Sequence, residues 1–427
     1  MKLPTTLVNR GFLLPEIMIA FSLMTLFLVS ALALTTTMQR LHDQAVEHLT
    51  KLEMVIENMS SSTMRLYGND SIENFFDPLT LLTSDYANAW GRDSCSSRFS
   101  FNPTNVFLYA QGVDLGAGNV STDLEVRNNI AYLTADSATA SAPDFYIIDM
   151  RDPGAPVIMS SLNTGPGLSA LEVAGHYVYT TNLGSTNQLQ VIDISNRLSP
   201  VLVTKLKLPL PNASSTAPSA TSIFYSKSRV YLGTEKWEGT EFAVVDVSQP
   251  SSPQHLGGFE TNTLVNDIYM RDERAYLANS DIGQMRILNV HDPTIITEIG
   301  IFSPTGYATQ EGKVLSYFEE KFGLGRTTGG FNVLANPEAF LFSTTSPVTP
   351  ETSHDIPGGV YGMLLRPPFI YLATRSPGHE FQVWKSDFSE KIFEKALGFL
   401  PQRMTCDGQT LYFATGDRKG VAVLKIN

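Results

Sequence analysis

Three groups of residues are of a type and spacing that could do chemistry. Glu16 is the only formal charge between Phe12 and Gln39, in the run FLLPEIMIAFSLMTLFLVSALALTTTMQ. A carboxylate inside so apolar a run is costly and calls for a cationic partner. Cys95 and Cys406 are the 2 cysteines. They are too few for a disulfide scaffold or a four-thiolate zinc site. Asp149, Asp193 and Asp246 stand at matching places in successive stretches of similar sequence, which raises metal binding or acid–base catalysis. Their repetition argues for a simpler role. An acid at the end of a strand, ahead of a Ser- or Pro-bearing turn, accepts hydrogen bonds from backbone amides and forms the turn.

The remaining inventory is thin. None of the histidines at 42, 48, 176, 255, 291, 354 and 379 belongs to a metal-type pair. Gly165-Pro166-Gly167 and the glycine-rich stretch 323–330 lack the lysine and helix of a phosphate loop. No G-x-S-x-G elbow occurs. Ser353-His354-Asp355 is contiguous, whereas a triad is assembled in space. Arg375–Glu380 gathers Arg, His and Glu in one loop, which reads as a solvated hairpin. No catalytic, cofactor-binding or metal-ligating residue is expected.

Composition sets the elements that must position these groups. The 427 residues are 43% hydrophobic and 17% charged, enough apolar matter for a sizeable core. With 31 Gly, 24 Pro and 10% aromatics, strands and turns are expected rather than helices. The 30 basic and 42 acidic residues leave a net charge of -12. That argues against a nucleic-acid partner, whose phosphates call for cationic contacts.

The amino terminus is the exception to the strand-rich composition. A cationic leader, MKLPTTLVNRG, carries Lys2 and Arg10 and no acid. As a helix, Phe12–Ala33 then spans about 33 Å, enough for a hydrocarbon core. The preceding cations favour a cytoplasmic amino terminus, which leaves the chain after Arg40 outside the cytoplasm. A plain signal anchor fits. So does a secretory signal peptide with a small-residue site at Ala31-Leu32-Ala33, although Glu16 then sits inside its apolar region.

Gly11-Phe12-Leu13-Leu14-Pro15-Glu16, followed by an uncharged apolar helix, resembles the signal of type IV prepilins and pseudopilins. The resemblance implies cleavage between Gly11 and Phe12 by a prepilin peptidase and N-methylation of Phe12. Glu16 then becomes the fifth mature residue and the assembly acid. The freed amine of Phe12 and Glu16 of a neighbouring subunit neutralise each other in an apolar setting. Pro15 departs from the commoner aliphatic. It removes a donor only in the first helical turn, where the amide is unpaired anyway.

The helix continues past the apolar run. Leu41, Ala45, His48/Leu49, Leu52, Val55/Ile56 and Met59 recur at three- and four-residue spacing among charged residues. A long helix, apolar first and amphipathic second, is what the resemblance implies. A short stalk or coiled-coil segment is the plainer reading.

From about residue 104 the chain repeats. Alternating strands lead to Tyr132, Tyr179, Tyr231 and Tyr276 on second strands, and third strands end in Asp149, Asp193, Asp246 and Asn289. The tyrosines read as packing between repeats. Repeats of this length, with four strands each, indicate β-propeller blades. IIDM, VIDI and VVDV resemble the LVIVD repeat of bacterial surface and secreted propellers. The pattern weakens at ILNV and in a fifth unit over 314–345, then resumes over 363–399 and 404–427. The last unit has three strands. NVFLYAQGV (105–113) is the candidate for its fourth, which closes a ring of seven blades, or six if the fifth unit is misread. Cys95 and Cys406 then flank the closure. They either form a disulfide across it or remain two unpaired thiols.

The fold class expected is mainly β: a long amino-terminal α-helix, then a propeller of about seven four-stranded blades. Its parts are a leader (1–11), a helix (12–66, membrane span 12–34), a connector (67–103) and the propeller (104–427). The expected function is a non-enzymatic pilin-like or pseudopilin subunit at the cytoplasmic (inner) membrane, with its head outside the cytoplasm. Assembly into a pilus or a type II secretion machine would carry it to the cell surface. Expected partners are the prepilin peptidase, other pilin or pseudopilin subunits, the inner membrane and a surface protein or glycan. The alternatives are a membrane-anchored propeller receptor outside any filament and an exported propeller hydrolase or lyase.

Overall fold

The computed structural model describes residues 94–95, 101–137, 139–271, 273–280, 283–304, 310–328 and 337–426. The leader, the expected amino-terminal helix and the sites at Gly11, Phe12 and Glu16 lie outside them. All regular structure among the described residues is β-strand. No helix there is long and apolar enough to cross a membrane.

Seven four-stranded antiparallel blades form the ring. Blade 1 shows the local logic. Its first strand, Val120–Arg127, is innermost; Ile130–Asp136, Phe145–Asp149 and Val157–Leu162 follow outward. The middle strands are buried on both faces, because neighbouring blades sandwich them. Hence they read as nearly continuous apolar runs, as strands covered on both sides must. Val157–Leu162 is half-exposed and mixed in character. Blades 2 to 6 repeat the plan over 168–206, 220–259, 265–302, 312–354 and 360–395.

Blade 7 comes from both ends of the propeller sequence. Arg403–Gly408, Thr410–Ala414 and Val421–Lys425 supply three strands. Phe107–Tyr109 supplies the fourth, pairing Phe107 with Lys425, Leu108 with Leu424 and Tyr109 with Val423. The ring therefore closes through the segment expected from sequence, which supplies the outer strand that blade 7 would otherwise lack. A short strand within the connector, Ser94–Cys95, runs parallel to the inner strand of this blade, opposite Asp407 and Gly408. Cys95 and Cys406 form a disulfide there, with Cα atoms 5.1 Å apart across 311 residues of sequence.

The repeated aspartates make turns. Asp149 accepts the Arg151 amide at 3.0 Å, Asp193 the Ser195 amide at 2.8 Å and Asp246 the Ser248 amide at 2.7 Å. Asn289 does the same for His291 at 3.0 Å, so the carboxamide serves where the acid is lost. The Ser248 amide holds the Asp246 carboxyl below its usual range. The recurring tyrosines are buried between blades. Tyr179 stacks on Tyr225 of blade 3 at 5.4 Å, and Tyr276 packs on Phe322 of blade 5 at 4.9 Å.

Candidate functional site

The central channel is where a propeller gathers side chains from all its blades. Six of the seven inner strands carry a β-bulge near their start, which breaks register with the second strand. A bulged residue is freed from the pleat and re-aimed. Here it reaches the next blade. The hydroxyls of Thr122, Ser169 and Thr221 donate to the carbonyls of Leu168, Ala220 and Val265, at 2.9, 2.6 and 2.8 Å. Asn266 donates from Nδ2 to the Gly312 carbonyl at 2.9 Å. The channel wall is thus laced blade to blade by side chains where no sheet continues.

Deeper in the channel, acids do the same work with amides. Asp123 accepts the Leu171 amide at 3.0 Å, Glu125 the Val173 amide at 2.7 Å and Asp267 the Leu315 amide at 2.8 Å. Arg403 of blade 7 bridges two of these acids from opposite parts of the ring. Its Nε lies 3.4 Å from Asp123 of blade 1 and its Nη1 3.4 Å from Asp267 of blade 4. Arg127 pairs with Glu125, whose carboxyl is pushed up by burial against that guanidinium. A cavity of about 20 Å³ remains between Asp123, Glu125, Leu171, Glu172, Arg403 and Thr405. That is room for about one water. The carboxylates of Asp123, Glu125 and Asp267 are committed to amides and guanidinium groups. No cluster of three or more metal-type ligands occurs among the described residues.

A second ring of polar side chains escaped the sequence reading. In blades 1 to 6 the residue just before the third strand is Asp144, Gln188, Glu241, Gln284, Glu338 or Glu380, and all six are buried. Five accept an amide beyond the end of the outer strand. Asp144 takes Thr164 at 2.7 Å, Gln188 takes Leu208 at 3.0 Å and Glu241 takes Thr261 at 2.7 Å. Glu338 takes Ile356 at 2.8 Å and Glu380 takes Leu397 at 3.0 Å. Gln284 instead donates to the Gln310 carbonyl. Each thereby fastens the chain as it leaves one blade for the next. The signal was present: an acid or amide precedes FYIID, LQVID, FAVVD, MRILN, AFLFS and FQVWK alike. Burial raises the Asp144 carboxyl to about 6, and burial with the neighbouring Asp355 raises Glu338 to about 7.

The other sequence candidates are not assembled into a site. The His354 ring lies 4.3 Å from Trp384 and 5.6 Å from Phe388, in an aromatic cluster. In the Arg375–Glu380 loop, Arg375 lies 3.8 Å over the Tyr361 ring and donates to Gln402 at 2.7 Å. His379 faces Glu394 at 3.2 Å, while Glu380 belongs to the buried ring. The three side chains of that loop serve three different partners.

The LVIVD repeat model matches residues 169–207 and 237–261. The chain carries LVIVD repeats. The matched residues are blade 2 and the outer half of blade 3; the IIDM of blade 1 falls outside them. No curated protein matches the chain. Among solved structures, virginiamycin B lyase from Staphylococcus aureus superposes with a TM-score of 0.54 at 12% identity, over 76% of this chain and 100% of that one. A chain of the mitotic checkpoint complex gives 0.53 at 12% identity, over 77% and 97%. The computationally designed Ika8 protein gives 0.50 at 12%, over 74% and 100%. Proteins this different share the ring, so the likeness extends to the fold alone.

Proposed function

We propose that this protein is a type IV pilin-like subunit that displays an LVIVD propeller outside the cytoplasm. The observation that carries the reading is Gly11-Phe12 with Glu16 as the lone charge of an apolar run behind a cationic leader. Prepilin peptidase cleaves after Gly11, and the helix from Phe12 holds the subunit in the inner membrane until assembly. There Glu16 neutralises the amine of a neighbouring Phe12. The Cys95–Cys406 disulfide supports the reading, because such bonds persist in oxidising compartments.

A head of seven blades is bulky for every position of a thin filament. The subunit is therefore a minor or tip component of a pilus, or a pseudopilin of a secretion machine. The acids of the channel hold the blades together, which supports a head that binds through its faces. Loops on the ring faces are where a surface protein or glycan would be met.

Glu16→Leu tests the assembly role. The variant is expected to remain in the membrane at the wild-type level and to fall at least about tenfold in the sheared filament or secretion-machine fraction, since it buries an unpaired amine. Wild-type recovery of Glu16→Leu in that fraction would sink the assembly reading and leave an anchored receptor.

A further inference from the structure

Asn266 and Lys313 hold the same bulge position in adjacent blades. Blades 1 to 3 place a hydroxyl there. Blade 4 places a carboxamide, and blade 5 an amine. The Lys313 amine donates to Asn266 Oδ1 at 3.2 Å. The same carboxamide points its nitrogen the other way, donating to Glu311 Oε2 at 3.3 Å and to the Gly312 carbonyl at 2.9 Å. A nucleophile therefore touches the carbonyl end of an amide while a carboxylate touches its leaving nitrogen. All three side chains are half-buried.

We propose that Lys313 and Asn266 join in an intramolecular amide cross-link between blades 4 and 5, with Glu311 as the proton carrier. The Lys313 nitrogen attacks Asn266 Cγ, forming the new C–N bond and placing negative charge on Oδ1. Once bonded to Cγ, the attacking nitrogen sits beside Nδ2 on the same carbon and so comes within reach of Glu311, which takes its proton and delivers it to Nδ2. The Cγ–Nδ2 bond breaks and ammonia leaves. Counted from a lysine ammonium, the products are the amide and ammonium, with nothing oxidised or reduced.

The surroundings favour each part of the step. Burial holds the Lys313 amine below its ordinary range, which makes the neutral nucleophile accessible. Arg375 and Arg403 push the same way, while Glu311 and Asp267 oppose them. The two side chains project from rigid inner strands, and the two hydrogen bonds of Nδ2 fix the carboxamide. That preorganisation is what turns a slow bimolecular amidation into a feasible intramolecular one.

The test is peptide mass spectrometry on the full chain, reduced and digested with trypsin. The expected product joins 237–271 to 287–321, lacks a cut after Lys313 and is lighter than the two peptides by one ammonia, about 17 Da. Glu311→Gln keeps the side-chain shape and removes the proton carrier; at least about tenfold less joined product is expected from it. Separate peptides with normal cleavage after Lys313 in the wild type would overturn the proposal. So would Asn266 recovered as aspartate beside a free Lys313. Joined product from Glu311→Gln at the wild-type level would overturn the role of Glu311. These peptides lie far from the amino terminus, so the result is independent of how the leader is processed.

Discussion

Replacing Cys95 and Cys406 together with serine is expected to lower the stability of the propeller by about 4–5 kcal/mol. The bond spans 311 residues, so it encloses nearly the whole ring in one covalent loop. In the chain-entropy picture, a longer enclosed loop removes more freedom from the unfolded chain. The position adds to the effect. Without the bond, closure rests on the three-residue pairing of Phe107–Tyr109, on main-chain bonds around it and on the packing and the Arg403–Asp123 pair between blades 7 and 1. Among the main-chain bonds, the Val113 and Leu115 amides donate to Lys419 and Arg418, both at 2.9 Å. Cys406 is fully buried among Leu364, Tyr371 and Phe413, so a serine hydroxyl there is also desolvated. Urea unfolding of the wild type and the double variant measures the difference, and wild type with reductant should move toward the variant. Coincident midpoints would show that the non-covalent contacts alone hold the ring.

The second large effect is a reversal of sign with pH at Glu338. Its carboxyl is raised from 4.5 to about 7, first by burial and then by Asp355, while Arg326 opposes the shift. Below about pH 4 the group is protonated in both folded and unfolded chains and contributes nothing to the pH dependence. Between the two values the folded protein holds a proton that the unfolded chain has released, so stability falls as pH rises. Above about pH 8 the penalty is complete, about 3 kcal/mol. Glu338→Gln removes that penalty. It also gives up one of the two acceptor bonds, to the Gln310 carboxamide at 3.1 Å or the Ile356 amide at 2.8 Å, at a cost of about 1 kcal/mol. The variant should therefore be about 2 kcal/mol more stable than wild type at pH 8 and about 1 kcal/mol less stable at pH 4. Denaturant midpoints at the two pH values decide. A variant less stable at both would mean that Glu338 is ionised in the folded protein at neutral pH.

The propeller was legible because its repeats reuse the same local devices. Asp149, Asp193 and Asp246 each bond the amide two residues on, a contact that needs no tertiary structure to predict. The closing strand was legible because the last unit lacked one strand and 105–113 had no partner. Blade 5 was faint for a packing reason. A Cβ at Gly323 would lie 2.3 Å from Met363 Sδ, and one at Gly325 would lie 2.6 Å from Val360 Cγ1. Blade 6 fills that space itself, so the second strand KFGLGR drops the bulky pattern that marks its counterparts.

The channel was not legible. Arg403 meets Asp267 from 136 residues away, and Lys313 meets Asn266 from 47. Such pairs follow from the ring geometry and the bulges, not from local spacing. The buried acids and amides ahead of the third strands were readable in principle. They differ in type from blade to blade, however, and their common task appears only once the outer strands are in place.

The most direct test of the account is the amino-terminal sequence and mass of the protein recovered from membranes. A chain that begins at N-methylated Phe12, with the leader through Gly11 removed, is the expected result. A chain that begins near Leu34, or one that retains Met1, would contradict it.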